Sequence, residues 1–261
     1  MNSTIKNMEY VNPPLIAEIC CGSYYDAMQA LEGGAGRIEL NCALALGGLT
    51  PTTATLRMVK EKAPDLQVIA MLRPRGAGFC YTEDEFAVME TECKELLQNG
   101  ADGIAFGCLK EDASLDLEKN RRLVSQIKEF GKEAVFHRAF DCSAEPFLTM
   151  EQLIHMGVDR VLTSGLQAKA MDGVEMLAKL QKTYGAQIQL LAGSGVNAQN
   201  VKELIEKTGI TQVHSSCKDW VYDPTTICNG VSYSIASGER EMMYDVVSAK
   251  QVRLLIDNLA R

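Results

Sequence analysis

The chain has 261 residues, of which 46% are hydrophobic and 23% charged, and its formal net charge is −8. That acidic balance excludes the basic footprint of a general nucleic-acid binder. No apolar run approaches the ~20 residues of a membrane-spanning helix.

Residues 1–14 are polar and end in Pro-Pro, so they read as a flexible lead-in. They lack the apolar core of a secretory signal, which sets a cytoplasmic expectation. Residues 15–261 read as one domain. Within it, eight short apolar runs recur: LIAEIC (15–20), RIEL (37–40), QVIAML (67–72), GIAF (103–106), EAVFH (133–137), RVLTS (160–164), IQLLAG (188–193) and TQVH (211–214). Most gaps between them read as amphipathic helix. Strands alternating with helices imply parallel pairing, because parallel neighbours need long crossovers. Eight such units predict a (β/α)8 barrel, for which about 250 residues is typical, with its active site at the C-terminal strand ends.

The first helix is expected over 24–32, stopped by Gly33-Gly34. In a helix over 83–98, Phe86, Met89, Cys93, Leu96 and Leu97 recur on one buried stripe. Asn197 is positioned to cap a helix over 198–207. Segment 218–238 breaks the pattern and reads as a long loop with one short extended piece. It lies near the site end of the barrel or lines a subunit contact. A closing helix is expected over 239–259.

The strand ends carry the candidate chemistry. Arg73 and Arg75 share strand parity with Ile69 and Met71, and two guanidinium forks at a barrel mouth suit carboxylate or phosphate. The alternative is a pair of structural arginines. In FHRAFD (136–141), alternation puts His137, Ala139 and Asp141 on one face, opposite Arg138. His137 suits acid–base work near neutral pH, with Asp141 to fix its tautomer. The bland counterpart is a hydrogen-bonded core histidine. His214, in the eighth strand, is a weaker candidate of the same kind.

Glu18 and Glu39 lie inside apolar strands, where a carboxylate needs a partner. Arg73, Arg75 and Arg138 are the expected partners. Both an ion network and an acid–base pair fit. Gly193-Ser194-Gly195 after strand seven, Ser215-Ser216 after strand eight and Ser164 after strand six match the place where barrels bind anions through backbone N–H groups. The nine cysteines form no CxxC pair and no disulfide framework. Cys20 ends strand one and Cys42 lies just past strand two, and two neighbouring thiols there suit a soft ion such as Cu(I); two buried thiols are the plain alternative. No organic cofactor is implied.

The runs AEICCGSYYDAMQALEGGAGRIELN, GGLTP, MLRPRGAGFCYTEDE, GADGIAFGCL, FHRAFD, DRVLTSG and VHSS closely resemble the CutC family, named for copper homeostasis, from about residue 16 to 217. The resemblance implies a TIM-type barrel, a cytoplasmic homo-oligomer such as a dimer, and copper handling with Cu(I) on two cysteines. The family's first cysteine matches Cys20. Its second falls on Asn41 here, with Cys42 one place later, and on a regular strand that shift reverses the thiol's facing. The family's Pro-Gly-Gly-Gly after strand seven is Ala192-Gly193-Ser194-Gly195. Two functions therefore stand side by side. One is a copper-binding protein; the other is a lyase, isomerase or hydrolase acting on a small phosphorylated or carboxylate metabolite.

Overall fold

The computed structural model describes residues 14–259. Most of the expected lead-in, residues 1–13, lies outside them. Eight parallel strands pair in chain order and close into a barrel: β1 (Ile16–Cys21), β2 (Arg37–Leu40), β3 (Gln67–Met71), β4 (Gly103–Phe106), β5 (Glu133–Phe136), β6 (Arg160–Thr163), β7 (Gln189–Ala192) and β8 (Gln212–Ser215). β8 pairs with β1, which closes the sheet. Helices α1 (Tyr24–Glu32), α2 (Thr53–Lys62), α3 (Glu83–Gln98), α4 (Leu117–Glu129), α5 (Pro146–Met156), α6 (Val174–Tyr184) and α7 (Val201–Thr208) follow the first seven strands, and α8 (Ala249–Leu259) closes the chain. The molecule is the (β/α)8 barrel that the alternating pattern predicts.

Local chemistry explains the helix ends. Thr82 and Glu85 form a reciprocal capping box at the start of α3. Its buried stripe is Phe86, Met89, Cys93, Leu96 and Leu97, as the spacing requires. α7 starts later than expected, at Val201. Asn197 instead accepts from the Gln199 N–H and builds a turn ahead of the helix.

The C-terminal segment departs most from expectation. β9 (Lys218–Tyr222) pairs antiparallel with β12 (Met243–Val247), and β10 (Ile227–Cys228) pairs with β11 (Val231–Ser232) between them. The expected loop is thus a pair of ribbons, and the closing helix covers only 249–259. The charged stretch after 238 resembles a helix locally, but its partner strand lies some twenty residues upstream. Asp26 anchors the ribbon: its carboxylate accepts from the N–H groups of Val247 (2.8 Å) and Gly22 (2.9 Å).

Strand alternation sorts the interior. Outward residues such as Ile19, Ile38, Leu40 and Val213 pack under the helices in the main core. Inward residues include a small apolar cluster of Ile69, Met71, Ala105 and Val135. At the N-terminal strand ends the interior is ionic. Glu18 pairs with Arg37 at 2.7 Å, Arg37 donates to Gln212, and Arg160 pairs with Glu133. The expected partners of Glu18 were Arg73, Arg75 and Arg138. The barrel register places Glu18 directly beside Arg37 instead.

Replacing Arg37 with Met leaves the buried Glu18 carboxylate without its partner. The expected loss of stability is about 3–5 kcal/mol in urea denaturation. Adding Glu18→Leu restores most of that loss. A double variant as unstable as the single one would contradict the ion-pair account.

Candidate functional site

Parity assembles the site. Cys20 lies two residues after Glu18, Glu39 two after Arg37, and His214 two after Gln212. All three therefore share the inward face, at the C-terminal ends of three adjacent strands, β8, β1 and β2. Their donor atoms lie within 4.8 Å of one another. Glu39 Oε2 is 3.3 Å from His214 Nε2 and accepts from the Cys20 thiol at 3.8 Å. Asn41, also inward, donates from Nδ2 to Glu39 Oε2 at 3.0 Å and to Cys20 Sγ at 3.6 Å.

Electrostatics follows from this packing. Burial works against charge on both Glu39 and His214, but their mutual attraction prevails. The Glu39 carboxyl is held below its usual range and the His214 imidazole well above its own. Burial pushes the Cys20 thiol up, against the pull of His214. The pair is thus carboxylate and imidazolium, beside a protonated thiol.

A cavity of about 260 Å³ opens over this cluster, with Met71, Arg73, Phe79, His137, Arg138 and Leu162 on its other walls. His137 is buried, and burial depresses its pKa to about 4, with Arg73 adding to the effect. Its Nδ1 accepts from the Ala139 N–H at 3.1 Å. The ring proton therefore sits on Nε2, which has no partner. Arg73 spends its terminal nitrogens on the carbonyls of Leu46, Gly48 and Ala77, so it holds the loop after β2 in place. Its Nε has no partner.

Several expected groupings do not form. β5 ends at Phe136, and residues 138–142 turn into a short 3-10 helix. Asp141 therefore leaves the face of His137. It binds Arg138, Thr163 and Ser164 instead, while Ser164 accepts from Arg138. Arg75 points away from the cavity, where it pairs with Glu85 at 2.5 Å and lies over the Tyr81 ring. Cys42 does not meet Cys20. Its thiol donates to the Thr50 carbonyl at 3.1 Å, because reversed parity turns it out of the barrel. Glu39 finds His214 and Asn41 rather than an arginine.

The glycine–serine loop divides its members. Gly193 leaves room for the site: a Cβ there would meet Leu162 at 2.6 Å and His214 Cβ at 3.2 Å. Ser194 has φ +76° and donates to the Ala168 carbonyl. Gly195, Ser215 and Ser216 line a separate cavity of about 220 Å³ with Asn197 and Lys218. Ser215 Oγ is committed to the Val196 carbonyl at 2.6 Å. Sequence reading undervalued His214 and overlooked Asn41. Both were traceable, since they share inward parity with Cys20 and Glu39 once the barrel closes β8 against β1.

The model of the CutC family matches residues 15–219. A CutC family protein of Treponema denticola is 42% identical over 216 residues, covering 83% of this chain and 87% of that one. One from Bacteroides fragilis is 34% identical over 247 residues, covering 93% and 96%. Among solved structures, CutC of Streptococcus agalactiae, provisionally assigned to copper homeostasis, superposes with a TM-score of 0.73 at 25% identity. It covers 77% of this chain and 98% of that one.

The histidines separate by pH. His137 is expected to stay neutral, with its proton on Nε2, down to about pH 4 in a histidine-labelled NMR titration. The unfolded chain takes up that proton near 6.5, so stability falls as pH drops from about 6.5 to 4, by about 3 kcal/mol. A His137 that titrates near 6.5 would refute this environment.

Proposed function

The chain belongs to the CutC family, and from that premise we propose that it handles copper, binding one ion at the barrel mouth through Cys20, Glu39 and His214. The convergence of three donor atoms within 4.8 Å carries this reading. A tetrahedral ion with bonds of about 2.0–2.3 Å sets its ligands roughly 3.3–3.5 Å apart. The 3.3 Å and 3.8 Å separations at Glu39 need little adjustment to meet that. Thiolate and imidazole are donors suited to Cu(I), and the carboxylate adds charge. The site uses one thiol, with Asn41 where the family's second cysteine falls. Cys42 stands apart.

A cytoplasmic homo-oligomer belongs to the same reading. Exposed Val221, Tyr222, Val231, Tyr233 and Ile235 on the C-terminal ribbons support a contact between copies. Among the described residues no helix is long and apolar enough to cross a membrane. A second reading, an enzyme acting on a small phosphorylated or carboxylate metabolite, is favoured by the unpartnered donors of Arg73 and His137.

An anaerobic Cu(I) titration against a competing chelator tests the copper site. Cys20→Ser and His214→Ala are expected to weaken binding by at least about 100-fold. Cys42→Ser is expected to leave it unchanged. Equal loss in Cys42→Ser, or binding indifferent to Cys20, would overturn the assignment.

A further inference from the structure

Independently of the copper reading, and resting on the second reading above, we propose that the cavity binds a small hydroxycarboxylate. The Nε–H of Arg73 and the Nε2–H of His137 hold its carboxylate. Both side chains are more than nine-tenths buried, at 6% and 3% exposure, and both line the cavity. Both carry a donor with no partner. A role for Arg73 as a loop latch explains its terminal nitrogens, which meet three carbonyls. It leaves the His137 donor without a use, and the Arg73 Nε–H without a hydrogen bond, with the buried Tyr81 hydroxyl as the neighbouring polar group of the guanidinium.

Charge points the same way. Among the described residues no carboxylate pairs with Arg73, so a buried guanidinium is balanced by carbonyl dipoles, the Phe79 ring and the neighbouring Tyr81 hydroxyl, none of which carries a negative charge. Such a charge calls for an anion. Arg138, the other arginine on the wall, already has Asp141. The two donors share one platform. The Arg73 guanidinium lies 5.3 Å from the Phe79 ring centre, and the His137 ring lies 4.9 Å from it.

The ligand class follows from the donor count. One fixed cationic N–H and one neutral N–H match the two oxygens of a carboxylate. A phosphate dianion ordinarily takes several backbone N–H groups or cations. Glu39 Oε1, also on this cavity, is an acceptor without a partner and suits a hydroxyl on the same molecule. The volume of about 260 Å³ is below the common range for drug-sized ligands and limits the ligand to a few carbons.

Glycolate is the minimal probe. Metal-free, reduced protein labelled with ¹⁵N-histidine is titrated with glycolate, acetate and inorganic phosphate, with His155 as internal reference. Glycolate is expected to shift the His137 Nε2 resonance saturably, with acetate and phosphate binding more weakly. By calorimetry, Arg73→Lys and His137→Leu each lower glycolate affinity at least about tenfold. Cys42→Ser, whose thiol is engaged with the Thr50 carbonyl outside the cavity, keeps it. No response of wild-type His137 up to about 50 mM glycolate, or affinity that survives both substitutions, would overturn the proposal.

Discussion

The period-two alternation of side chains in a closed parallel barrel is the constraint on which everything else depends. Closure brings β8 beside β1, and β1 beside β2. Their inward faces then read Glu18–Cys20, Arg37–Glu39 and Gln212–His214. The first member of each pair builds the ionic floor, where Arg37 joins Glu18 to Gln212. The second member builds the mouth. Floor and site are one pattern shifted by two residues, so a slip in register would dismantle both.

Charge in such an interior survives only by pairing. Glu39 is the hub: it meets His214, the Cys20 thiol and the Asn41 amide through a single oxygen. Gly193 makes this affordable sterically, since any side chain there would crowd Leu162 and His214. On the opposite wall, Arg73 ties down the loop after β2 and still presents a positive charge beside Phe79. The mouth is thus polarised, with metal-type donors on one wall and anion-type donors on the other.

Much of the fold was legible from periodicity. The apolar runs fall within about two residues of the strands at either end, and helices 24–32 and 83–98 have the bounds expected of them. What escaped involved long-range pairing. β12 is a strand because β9 lies beside it, and nothing local in 243–247 announces that. At the site, the expected Cys20–Cys42 pair does not form, as the one-residue shift at Asn41 signalled, and Asp141 was misplaced because β5 stops at Phe136 and the backbone coils. Arg75 escaped for a related reason: Arg73 still follows the parity of Met71 into the cavity, but the backbone bends over residues 74–77 and turns Arg75 away. The role of His214 needed the closure itself, which makes the last strand a neighbour of the first.

Copper K-edge X-ray absorption on the Cu(I)-loaded protein tests the central claim most directly, because it counts the sulfur atoms on the ion. A shell of one sulfur with nitrogen and oxygen neighbours is the expected result, from Cys20, His214 and Glu39. Two sulfurs would place a second thiol on the metal and contradict the single-thiol site that strand parity builds.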